Sequence, residues 1–86
     1  MQLTKIAMNP WDFTLYSTED GSRIMKVMFS EGEYKVDIAR FFLVAKSENE
    51  IDASIDGLKR LADEIRTAYP KVAYPEIKKA DVVISK

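Results

Sequence analysis

Arg23-Ile24-Met25-Lys26-Val27-Met28-Phe29 is the stretch whose reading decides the fold. Side chains along a strand alternate between its two faces. Met25, Val27 and Phe29 therefore form one wholly apolar face, while Ile24 and Met28, on either side of Lys26, make the opposite face partly apolar. A strand that is apolar on both sides is either central in a covered sheet or pressed against a partner. The stretch lies between Glu19-Asp20-Gly21-Ser22 and Ser30-Glu31-Gly32-Glu33. Both segments set glycine amid short polar residues, where a chain reversal needs a positive φ.

Period-two patterns continue on both sides. Upstream, Trp11, Phe13 and Leu15 alternate with Asp12, Thr14 and Tyr16, which reads as a half-buried strand. Leu3 to Met8 reads as a further strand, closed by the Asn9-Pro10 turn. Downstream, Tyr34, Val36 and Ile38 alternate with Lys35 and Asp37, and continuing that rhythm puts Arg40 inside, followed by Phe42 and Val44. Either a bulge near Ala39-Arg40 resets the register, or Phe41 and Leu43 emerge on the outer face. Each alternative leaves large apolar groups on both sides of the strand.

A helix comes next. Ser47-Glu48-Asn49-Glu50 has the form of a capping box. From there Ile51, Ile55, Leu58, Ala62, Ile65 and Tyr69, with Leu61, recur at helical spacing and predict an amphipathic helix over about 48–68. Asp52, Asp56, Lys59, Arg60, Asp63, Arg66 and Thr67 fall on its far side, and Pro70 stops it. Residues 70–86 read as an extended tail in which Asp81-Val82-Val83-Ile84-Ser85 forms a last short strand. The fold class is thus α+β, an antiparallel meander of three to four strands followed by one long helix on one sheet face. Residues 1–69 make the domain and 70–86 its C-terminal segment.

Composition narrows the chemistry. The chain has 86 residues, 47% hydrophobic and 31% charged, with 13 Lys and Arg against 14 Asp and Glu. That is an ordinary globular composition, too short for a second core. Cysteine and histidine are both absent. Disulfides, thiolate or imidazole catalysis, and ordinary zinc, haem or iron–sulfur sites are therefore excluded. Three glycines permit no phosphate-cradling motif. The candidate carboxylate groups, Glu31 and Glu33 at a turn and Asp52, Asp56 and Asp63 on the helix, sit where water keeps them ordinary. The expectation is a protein that is not an enzyme and that uses no cofactor and no metal. The longest apolar run, Phe41 to Ala45, is far short of a membrane span. With no signal-peptide pattern near the start, the chain is expected to reside in the cytoplasm, away from membranes.

Protein contact is the functional expectation. One helix covers one face of the sheet, so Ile24, Met28, and either Phe41 and Leu43 or Phe42 and Val44 need cover on the other. Burying each is worth about 1.5–3 kcal/mol, and methionine suits an adaptable surface. Gly57, beside Ser54 and Leu61, gives the helix a small-residue flank where a second backbone fits. The candidate interface is therefore Ile24, Met28, Phe41, Leu43, Gly57 and Leu61, serving a homodimer or stoichiometric binding of another protein, as in an accessory, immunity-type or phage-encoded regulator. The alternative is that the N-terminal segment or the tail (Val72, Tyr74, Ile77, Val82 to Ile84) folds over that face. A nucleic-acid module using Lys26, Lys35, Arg40 and Lys71, Lys78, Lys79 and Lys86 is the weaker rival, because a net charge of −1 neutralises few phosphates.

Overall fold

The computed structural model describes residues 2–10, 12–31, 36–51 and 54–84. Strands β1 (Gln2–Asn9), β2 (Phe13–Ser17), β3 (Arg23–Glu31) and β4 (Val36–Ala45) form an antiparallel meander, each paired with the next. The helix α1 (Ile55–Ala68) then packs across one face. The tail adds two short strands: β5 (Glu76–Ile77) lies antiparallel to β4, and β6 (Val83–Ile84) lies parallel to the start of β1. The sheet order is β5-β4-β3-β2-β1-β6, and the class is α+β as the pattern predicts. The first turn signal closes the β2–β3 hairpin, with Gly21 at φ 88°. Trp11 and the Gly32–Lys35 part of the second turn lie outside the described residues.

No bulge forms at Ala39-Arg40. The β3–β4 register runs unbroken from Glu31↔Val36 to Ile24↔Leu43 and shifts only between Arg23 and Ile24. Phe41 and Leu43 therefore share the outer face with Ile24, Lys26 and Met28. Arg40 goes inward, as the alternation requires. Its guanidinium stacks 4.6 Å from the Tyr69 ring centroid and 5.8 Å from that of Phe29, and it reaches Glu76 at 3.4 Å. A planar cation on aromatic faces lets a charged side chain occupy the core margin.

The helix starts later than its sequence signature suggests. Glu48–Glu50 makes only one 3-10 turn, and the Ser47 side chain caps nothing. The Glu50 carboxylate does reach back, but it accepts from the Lys46 N–H at 2.7 Å. Ile51 is extended and packs on the helix-side core. The working N-cap is Ser54, whose hydroxyl oxygen accepts from the Gly57 N–H at 3.2 Å. Gly57 thus stands in the first turn, where its backbone freedom costs less than mid-helix. Leu58, Ala62 and Ile65 bury against Phe13, Leu15, Met25, Val27, Phe29, Phe42 and Val44. Ile55, expected in the buried stripe, is 45% exposed because it opens the helix.

The outer face carries a second cluster, in which Leu3, Tyr16, Ile24 and Phe41 are buried and Leu43, Ile77 and Val82 pack on them. The tail supplies that cover. Val72 and Tyr74 rest on the inner core, the Pro75 carbonyl accepts from the Leu43 N–H at 2.9 Å, and Ile77 is already on the outer side. In a flat sheet, five strand spacings of about 4.8 Å would set β5 and β6 roughly 24 Å apart. The steps from Ile77 to Val83 pass through a 3-10 turn at Lys79–Asp81 and reach only about 16 Å, at ~2 Å per 3-10 residue and ~3.3 Å per extended one. The sheet therefore curls around the second cluster, and the tail straps the concave side.

Candidate interaction surface

The register arranges the outer face in cross-strand rows. Tyr16, Ile24 and Leu43 form one row; Met8, Thr14, Lys26, Phe41 and Ile77 form the next; Met28 and Ala39 come after them. The strap lies over the Tyr16, Ile24 and Phe41 end. At the other end Met8 is 48% exposed and Met28 is half-buried. Met8, Pro10, Asp12, Phe13, Thr14, Lys26 and Met28 line an open depression of about 290 Å³ there.

The candidate residues do not converge on one surface. Ile24 and Phe41 are buried inside the chain, because Leu3, Ile77 and Val82 supply the cover that a partner was expected to supply. Leu43 is half-buried at the rim of a groove of about 630 Å³ with Gln2, Thr18, Asp20 and Val83. Gly57 and Leu61 are half-buried on the helix side, beside Val44, Glu50, Arg60 and Tyr74, around a hollow of about 270 Å³. Of the six candidates, only Met28 stands in the open apolar depression. Its companion there, Met8, and the neighbouring Ile6 at 47% exposure are not candidates on sequence grounds. Their signal is slight: one bulge, between Lys5 and Ala7, breaks the alternation in β1 and turns Ile6 outward.

The electrostatics of this patch are mixed. Lys26 has no ion-pair partner among the described residues. Asp12 is held at the rim by Arg66, 2.5 Å from its carboxylate, and by the Asn9 amide at 3.0 Å. Lys26 and Arg40 occupy opposite sheet faces, because Arg40 pairs with Val27. Lys26 and Arg40 of the nucleic-acid reading therefore share no surface, and Lys35 lies outside the described residues. The Asp20 carboxyl is lowered from its ordinary value to about 2 by the Thr18 hydroxyl and by the Ser22 backbone N–H. Those bonds close the β2–β3 turn, a structural task. Among the described residues no three acidic, histidine or cysteine side chains gather as a metal site, and no helix is long and apolar enough to cross a membrane. No protein-family model, curated protein or solved structure matches the chain.

Proposed function

We propose that this protein is a non-catalytic, self-associating module whose dimer forms where the open ends of two outer sheet faces pack together. The observation that carries this reading is the Met8–Met28 depression, the part of the outer apolar face that the strap leaves uncovered. Methionine side chains re-pack readily, which suits a contact between two identical and initially separate surfaces. A two-fold interface must be complementary to itself. This patch carries both signs, Lys26 within it and Asp12 on its rim, so it lacks the single-sign charge that would oppose its own copy. The face, and not the sheet edge, is the contact. Beyond Leu3 the outer edge of β1 lacks a strand partner among the described residues, but Lys5 and the bulge at Ile6 are features that discourage edge pairing.

Met28→Lys tests the reading by light scattering at micromolar concentration. The variant should stay monomeric with an unchanged circular dichroism spectrum, while the unmodified chain dimerises. Equal dimerisation of both would remove the patch from the interface.

A further inference from the structure

We propose that residues 76–84 form a releasable strap, and that the apolar layer beneath it accepts the same segment of a second copy. This rests on the self-association reading but names a different contact. The strap is held by two strands of two residues each, β5 and β6, and by the Arg40–Glu76 ion pair at 3.4 Å, whereas β3 and β4 pair along nine positions. Ile77 and Val82 are its contribution to the outer cluster, both only half-buried, and Val83 is 61% exposed. Segments with short ladders and little buried apolar surface open before the rest of a fold.

The chain also has a defined pivot. Val72 and Tyr74 are packed on the inner core, while Ile77 lies on the outer one, so the backbone rounds the β4 edge at Pro75 and Glu76. Release is confined to the residues beyond that edge. The layer it uncovers, Leu3, Tyr16, Ile24 and Phe41, already matches the strap in shape and in ladder register, at Phe41↔Ile77 and Gln2↔Val83. A second copy's strap is therefore the occupant that needs no new complementarity. Reciprocal exchange restores each contact and closes on a two-fold axis. In the open state the uncovered layer is continuous with Met8 and Met28 across the cross-strand rows.

The chain contains no cysteine, so a paired substitution gives one unambiguous cross-link. Gln2 and Val83 are partners across the β1–β6 ladder, and both side chains are exposed. The Gln2→Cys, Val83→Cys double variant is oxidised at a concentration where light scattering reports dimer, then run on a denaturing, non-reducing gel. Strap exchange predicts that most of the protein runs at twice the chain mass and returns to single mass on reduction. Intrachain cross-links alone in a dimeric sample overturn the exchange and leave the Met8–Met28 contact standing. A monomer at every concentration overturns both. Hydrogen exchange on the unmodified monomer guards against a folding defect in the variant. Protected amides in 76–84 should exchange at least ~100-fold faster than those of the β2–β3 ladder; equal rates would overturn a strap that opens by itself.

Discussion

Arg66 of α1 and Asp12, at the corner before β2, are joined twice. Arg66 Nη2 lies 2.5 Å from the Asp12 carboxylate and donates to the Asp12 carbonyl oxygen at 2.7 Å. Arg66 Nε donates to the Met28 carbonyl at 2.8 Å, and the Met28 N–H donates to the same Asp12 carbonyl at 3.0 Å. One guanidinium thus ties the helix to the main chain of the residue whose side chain faces the opposite, open patch. Helical periodicity puts Arg66 on the solvent side, but its length lets the stem lie along the sheet margin while the head bonds to backbone.

Removing that guanidinium leaves two carbonyls and two carboxylates, Asp12 and the exposed Asp63, short of a donor. Arg66→Ala should lower unfolding stability by about 2 kcal/mol in urea titration, moderated because the pair is partly solvated. Arg66→Lys should recover only part of this, since an ammonium does not reproduce the fork. A loss below about 0.5 kcal/mol would show that the clamp is not holding the helix.

Of the two serines that precede helical turns, only Ser54 caps with its side chain. Ser54→Ala removes the oxygen that accepts from Gly57 and should cost about 1 kcal/mol, whereas Ser47→Ala should cost a few tenths at most. Thermal unfolding followed at 222 nm separates them; the reverse order would place the helix start at the capping-box signature.

Much of the fold is legible in the sequence, for identifiable reasons. Met25, Val27 and Phe29 keep their alternation because they face a continuous helix-side core, and Leu58, Ala62 and Ile65 keep their spacing for the same cause. The helix start misleads because Ser47 and Glu50 satisfy a local rule that Ser54 satisfies without an acidic partner three residues on. The outer face is ambiguous for a different reason. Composition reveals that Ile24 and Phe41 need cover, but not that the sheet curls enough for Val82 and Ile77 to supply it. Met8 escapes the pattern because curvature and strap length decide which outer residues stay open.

Ile24 and Met28 share one face of β3 on either side of Lys26, with opposite expected behaviour. Ile24→Ala should cost about 3 kcal/mol, the usual loss for a fully buried aliphatic side chain, and leave the monomer's patch intact. Met28→Ala should cost under about 1 kcal/mol, the difference reflecting its partial exposure. Denaturant midpoints at a concentration where the chain is monomeric decide this, and similar losses at both sites would contradict the division of the face.

Asp20 makes the β2–β3 turn acid-sensitive. Its carboxyl is ordinarily half-protonated at 3.8 and is lowered to about 2 here, so the folded state favours the ionised form. The stability this contributes is present above about pH 4 and is lost as the pH falls toward 2. The gap in urea midpoint between the unmodified chain and Asp20→Asn should therefore be steady from pH 7 to 5 and close by pH 2. A gap that widens on acidification would reverse the assignment.

Sedimentation equilibrium of the unmodified chain, from about 1 to 100 µM, a span that brackets a Kd of about 10 µM or a binding free energy of about −7 kcal/mol, bears most directly on the open outer face. A rise with concentration from the 9.8 kDa chain mass toward twice that value is the expected result. A single chain mass across the whole range would contradict it.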